Sequence, residues 1–169
     1  MLKLSLAALS REEVHAQWEI PADHPMWENT RLELSEPLHV EVFAHEVGEG
    51  VLVRGRMRTV LDLSCRRCLT RVRREIDEPV DLLFEPLTGE ERDELEGEVY
   101  PLPMRGTELD LSESLREQLL LTIPEYVICA EACRGLCPQC GVDRNQATCE
   151  CTPEQGSGPW DALKNFTFD

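Results

Sequence analysis

Residues 51–68 read VLVRGRMRTVLDLSCRRC. Val51, Val53, Met57, Leu61 and Leu63 fall on one side of this stretch, and Arg54, Arg56, Arg58 and Asp62 fall on the other. Successive side chains of a strand point to opposite faces, so this is the pattern of a half-buried strand with a charged outer side. The stretch ends on Cys65-Arg66-Arg67-Cys68, where a tight turn is expected. Beyond the turn, Val72, Ile76, Val80 and Leu82 supply the inward positions of a further strand. Before it, Leu38, Val40, Val42 and Ala44 alternate with His39, Glu41, Phe43 and His45, and Val47-Gly48-Glu49-Gly50 carries turn residues. Residues 32–84 therefore predict antiparallel strands in a meander with one solvated face.

Outside this centre the chain divides by composition. Residues 1–31 read as an arm: Leu2, Leu4 and Leu6 alternate like an edge strand, Ser10 to Glu13 look like a short helical start, and Pro21 and Pro25 break the rest of the segment. Residues 85–108 read as a loop, with an acidic run of Glu90, Glu91, Asp93, Glu94, Glu96 and Glu98. A helix is predicted over 110–123. Asp110 and Glu113 have the spacing of a capping box, Leu111, Leu115, Leu119 and Thr122 share a face, and Pro124 stops the helix. Residues 129–151 hold six of the cysteines, 152–159 are a Pro/Gly/Ser linker, and Trp160, Leu163 and Phe166 recur at helical spacing. That last pattern suits either a turn docked on the core or a partner contact through Trp160. The expected fold is a β-rich α+β protein: an antiparallel meander or partial barrel with a helix and a cysteine-rich, zinc-bound C-terminal lobe. The division is an N-terminal arm (1–31), a main β-rich domain (32–128) and the lobe with its tail (129–169).

Hydrophobic residues make up 41% and aromatics 5%, which suits a modest core assisted by metal. No apolar run is long enough to span a membrane, and the opening residues lack the pattern of a signal peptide. A cytoplasmic location is expected, where cysteines stay reduced. The eight cysteines form four close pairs: Cys65/Cys68, Cys129/Cys133, Cys137/Cys140 and Cys149/Cys151. Close pairs deliver two thiolates to one ion at little entropic cost, and zinc takes four in a tetrahedron. Gly141, just after Cys140, suits the positive φ that such a knuckle needs. The favoured arrangement is two ions, one on Cys65, Cys68, Cys129 and Cys133, the other on Cys137, Cys140, Cys149 and Cys151. A single ion on the two C-x-x-C pairs is the rival. Four thiolates leave no open coordination position, so the metal would be structural.

Nothing in the chain resembles a catalytic site. His15, His24, His39 and His45 lie in no metalloprotease or nucleophile-elbow context, and no phosphate-binding glycine loop occurs. Neither enzyme activity nor a small-molecule substrate is expected. A thiol-based redox or metal-responsive regulator is the alternative, although C-x-x-C here lacks the crossover helix of thioredoxin-like proteins. The net charge is −16, yet residues 54–74 hold eight arginines against one acid, a local +7 that leaves −23 elsewhere. Arg54, Arg56, Arg58, Arg66, Arg67, Arg71 and Arg73 are thus candidates for RNA phosphate or for an acidic partner patch, unless Glu75, Asp77 and the acidic run neutralise them. The net acidity also suits an adaptor that binds a basic protein.

These residues together resemble a known family. Cys65-Arg66-Arg67-Cys68-Leu69 sits in a strand turn. Asp110-Leu111 opens a Leu-rich helix that runs to Ile123-Pro124. Then come Cys129-x-x-x-Cys133-x-Gly135-Leu136-Cys137-Pro138-x-Cys140-Gly141, Asn145, Cys149-x-Cys151 and Trp160-Asp161-Ala162-Leu163. Over residues 30–166 this is similar to the YceD family, the bacterial large-subunit ribosomal RNA accumulation proteins. The resemblance implies a non-catalytic role in 23S rRNA accumulation and large-subunit assembly, with large-subunit precursor, rRNA or a ribosomal protein as partner and no membrane. It also implies a metal site built on the C-x-R-C turn, with Cys137, Cys140, Cys149 and Cys151 as a separable second site. The chain departs from the family pattern at Asp143-Arg144-Asn145, where Asn-Leu-Asn is common, which bears on the shape of that loop.

Overall fold

The computed structural model describes residues 2–30, 32–86, 99–103 and 106–151. In chain order its elements are β1 (Lys3–Ser5), α1 (Leu6–Leu9), β2 (Val14–Ile20), a 3-10 turn at Pro25–Trp27, β3 (Leu38–Val47), β4 (Gly50–Ser64), β5 (Arg71–Glu85), β6 (Val99–Pro101), β7 (Glu108–Asp110) and α2 (Ser112–Leu121). The acidic run, the linker and the Trp160 segment lie outside the described residues.

β4 is the spine. It pairs antiparallel with β3 from His39↔Arg58 to Val47↔Gly50, and with β5 from Val51↔Phe84 to Ser64↔Arg71. Gly48, at φ +63°, makes the β3–β4 turn. β2 pairs antiparallel with β3, and β6 runs parallel to β5 at Leu83–Glu85. The sheet order is β2-β3-β4-β5-β6, an open mixed sheet rather than a barrel. The four-strand meander exceeds the sequence-based expectation by one strand, because β2 comes from the segment expected as an arm. Val14, Ala16, Trp18 and Ile20 alternate there with His15, Gln17 and Glu19. The Cα partners Gly55 and Val42 lie at the centre of the sheet. A Cβ on Gly55 would come within 1.9 Å of the Glu41 carbonyl oxygen, so only glycine fits.

One sheet face is the core. Leu38, Val40, Val42 and Ala44 of β3 meet Val53, Met57 and Leu61 of β4 and Val80, Leu82 and Phe84 of β5, all buried. Leu63, expected inward, is half-buried. The cover is built from two stretches far apart in the chain. β1 pairs with β7 in a two-stranded ribbon, Leu4 opposite Leu109. Leu2, Leu4 and Leu9 are buried alongside Leu109, Leu111, Leu115 and Leu119. Leu2, Leu4, Leu9, Ile20 and Trp27, all from the segment read as an arm, are therefore part of the core. The helix starts two residues later than predicted, because Asp110 is still in the ribbon. Its carboxylate accepts the Ser112 backbone N–H at 2.9 Å, which satisfies one of the free donors of the first turn. No described helix is long and apolar enough to cross a membrane.

Candidate metal centre

Two turns in this chain are built alike. Cys65 donates its N–H to Thr70 O at 2.9 Å, and its own carbonyl accepts the Leu69 N–H at 2.9 Å. Cys137 donates to Val142 O at 2.8 Å, and its carbonyl accepts the Gly141 N–H at 2.9 Å. The fifth residue of each turn takes positive φ, +61° at Leu69 and +75° at Gly141. These are two knuckles, one ending β4 and one in the segment after α2.

Each knuckle meets a second pair of cysteines. The sulfurs of Cys65, Cys68, Cys129 and Cys133 all lie within 4.8 Å of one another, as do those of Cys137, Cys140, Cys149 and Cys151. Cys65 Sγ is 3.9 Å from Cys133 Sγ, and Cys68 Sγ is 3.5 Å from Cys129 Sγ. Sulfurs about 2.3 Å from a central zinc stand about 3.8 Å apart in a tetrahedron, so the donor set and its spacing fit that ion. All eight are free thiols. The favoured four-and-four grouping is the one in which the structure places them. Each set could hold one metal ion.

The thiols are unequal. Burial resists ionisation of Cys65, but backbone hydrogen bonds from Cys129, Cys68 and Arg67 bring it down to about 6. Hydrogen bonding to Cys68 and Cys133, with burial, pushes Cys129 up to about 12. The second set repeats this. Backbone hydrogen bonds from Cys140 and Gln139 bring Cys137 down to about 6, and hydrogen bonding to Cys140 pushes Cys151 up to about 12. Burial also opposes ionisation of Cys133, yet the Gly135 backbone and the Asn145 amide hold it below the ordinary thiol value. Four sulfurs crowded this closely cannot all be anionic unless a cation sits among them.

Two arginines serve these sulfurs. Arg67 reaches from the first knuckle to the carbonyls of Glu131 and Cys133, both at 3.1 Å, and to the Tyr126 hydroxyl at 3.3 Å. Arg144 places Nη2 3.8 Å from Cys137 Sγ. The remaining candidate arginines are partnered differently. Arg54 pairs with Asp81, and Arg56 and Arg58 share Asp77. Arg71 lies between Glu33 and Asp62, and Arg73 pairs with Glu36. Among the described residues, Arg66 has no acidic partner. The three arginines on the outer face of β4 are thus all paired with Asp77 and Asp81 of β5, and among the described residues Glu75 takes no part.

The family description "Large ribosomal RNA subunit accumulation protein YceD" matches residues 53–167, which covers most of β4, both knuckles and all eight cysteines. The chain belongs to the YceD family. It is 28% identical over 158 residues to "Large ribosomal RNA subunit accumulation protein YCED homolog 1, chloroplastic" of Arabidopsis thaliana, covering 76% of this chain and 49% of the relative. It is 33% identical over 109 residues to an uncharacterized protein of Mycobacterium tuberculosis, covering 62% of this chain and 50% of that one. An uncharacterized protein of Mycobacterium leprae is 27% identical over 110 residues, 65% of this chain and 50% of the relative. The chain spans about half the length of these curated relatives. No solved structure matches it.

Within this YceD chain, the loop of Asp143-Arg144-Asn145 is well held. Asp143 Oδ1 accepts the Asn145 backbone N–H at 2.9 Å and its side-chain amide at 2.7 Å, and Asp143 Oδ2 accepts the Gln146 amide at 3.1 Å. The Asp-x-Asn spacing was the available signal, since Asp side chains bond backbone two residues on. Sequence reasoning missed the contacts of Arg144 and Asn145 with sulfur, because charge and amide residues in a loop carry no periodicity.

Proposed function

We propose that this chain is a non-catalytic factor in 23S rRNA accumulation and large-subunit biogenesis, acting in the cytoplasm and stabilised by two zinc ions. The observation that carries the zinc reading is the pair of closed four-sulfur sets. Four thiolates complete a tetrahedral shell and leave no position for water or substrate, which suits a structural metal and a binding protein. The role itself rests on the family and on the name of the chloroplast relative. The partner is large-subunit precursor, met at the knuckle end, where Arg66 stands without an acidic neighbour among the described residues.

One observation favours a second reading of the partner. Arg54, Arg56, Arg58, Arg71 and Arg73 are each held by carboxylates, so the face expected to meet phosphate offers little free positive charge. An acidic chain with neutralised arginines suits a basic ribosomal protein better than RNA. Co-sedimentation with large-subunit precursors, then crosslinking, tests both. Arg66→Glu is expected to weaken association several-fold, while Arg54→Glu with Arg56→Glu leaves it unchanged. Crosslinks to rRNA support the first reading and crosslinks to a ribosomal protein the second. No association with precursors would remove the function. A single hyper-reactive cysteine in the metal-loaded protein would instead favour a redox regulator.

A further inference from the structure

The two cysteine sets are not independent neighbours. Cys133 of the first and Cys137 of the second are separated only by Arg134-Gly135-Leu136, and that strut is gripped from both sides. From the first knuckle, the Arg67 carbonyl accepts the Leu136 N–H at 2.8 Å. From the loop of the second set, the Arg144 N–H donates to Gly135 O at 2.9 Å. Gly135 has φ +69°, and a Cβ there would stand 2.8 Å from Arg67 O, so the grip leaves no room for a side chain.

Asn145 crosses the strut. It lies between Cys140 and Cys149 in the chain, yet its side chain serves the other set. Its Nδ2 donates to Cys133 Sγ at 3.5 Å, and its Oδ1 accepts the Arg134 N–H at 2.8 Å. A hydrogen bond to a metal-bound thiolate favours the charged form and orients the sulfur. The Asn145 loop is itself tied to the second set, since Arg144 beside it reaches Cys137 Sγ. Unseating the second set therefore removes a donor from the first.

We propose that Asn145 is a positioning residue for the first set, supplied by the loop of the second, so that the first set holds its ion at full strength only while the second is assembled. This rests on the two-ion reading above. Hydrogen-bonding neighbours of metal ligands typically change metal affinity by about 10–100-fold when removed.

The test uses the full chain loaded with zinc, titrated with EDTA, with alkylation of each cysteine read by mass spectrometry. Alkylation reports the two sets separately. In Asn145→Ala, Cys65, Cys68, Cys129 and Cys133 are expected to lose protection at about tenfold less EDTA, while Cys137, Cys140, Cys149 and Cys151 hold. Asp143→Ala removes the loop's own hydrogen bonds but leaves the amide-to-sulfur bond, and should move the first set less. Cys149→Ser with Cys151→Ser empties the second set and should loosen the first as Asn145→Ala does. The proposal is overturned if the first set keeps wild-type protection in Asn145→Ala or in the double variant. It is also overturned if Asp143→Ala matches Asn145→Ala, because Asn145 would then only brace its loop. If the wild-type chain takes up no zinc, the two-ion reading itself fails, an outcome visible before any variant is compared.

Discussion

Leu69 and Gly141 close the two knuckles in the same left-handed conformation, yet one is a leucine. A side chain at positive φ costs about 1–2 kcal/mol, and glycine's extra freedom when unfolded returns part of that. Leu69 is 65% exposed, so its side chain buries little in compensation. Leu69→Gly is expected to raise stability by about 0.5–1 kcal/mol, read as a higher denaturant midpoint at unchanged slope. Gly135→Ala should do the opposite, because it adds a clash with Arg67 O to an unfavourable φ. Its effect should appear first as faster zinc loss from the Cys65 set. A third change tests the outer face. The Arg56 guanidinium, then that of Arg58, holds the Asp77 carboxyl below its usual range. A carboxyl lowered on folding contributes stability above its unfolded pKa and loses it as pH falls through the folded one. Asp77→Asn should therefore melt slightly below wild type at neutral pH, and the gap should close on acidification past the carboxylate range. The cysteine groupings could be proposed from spacing alone, since close pairs are local. The roles of Arg67 and Asn145 could not, because their partners lie far off along the chain or across a loop with no periodic pattern.

At the scale of elements, the long strands were legible and most of the short ones were not. β4 and β5 run fifteen residues each, with buried apolar residues along most of one face and charged residues along much of the other, which leaves an alternation that survives Gly55 and Pro79. β2 also alternates, but its seven residues come after Ser10-Arg11-Glu12-Glu13 and precede Pro21, so helix and breaker signals masked it. β6 and β7 span three residues each, too few for any period, whereas β1, equally short, reads as an edge strand from the alternation of Leu2, Leu4 and Leu6. Helix α2 was legible from its leucine stripe, though its start was misjudged, because a strand ending on Asp110 and a helix capped by Asp110 look the same in sequence. The cover these elements form is testable. Leu115 and Leu119 are fully buried, and either change to Ala is expected to cost about 2–5 kcal/mol. Leu121, close by in number but 74% exposed, should tolerate Ala with little change in the same melting experiment.

Across the whole molecule, two apolar clusters stay distinct. The main cluster lies between the sheet and its cover, and a smaller one joins Cys65, Cys68 and Cys133 to Val72, Ile128 and Leu136. Chelation should therefore raise amide exchange in residues 65–70 and 129–151 while the central β3 and β4 amides stay protected. Loss of protection throughout would mean that the metal end and the sheet unfold as one unit. The ribbon of β1 with β7 has a further consequence for how the protein is made. Lys3 bonds Glu108, more than a hundred residues later, so β1 has no partner until residues 108–110 have emerged. During that interval β3, β4 and β5 can already pair, but the leucines that roof them are scattered between the start of the chain and a helix not yet translated. A nascent chain halted before residue 108 would lack Leu109, Leu111, Leu115 and Leu119 of the cover and leave part of the apolar sheet exposed, a form prone to sticking to its neighbours. Completion of this fold waits for β7 and α2.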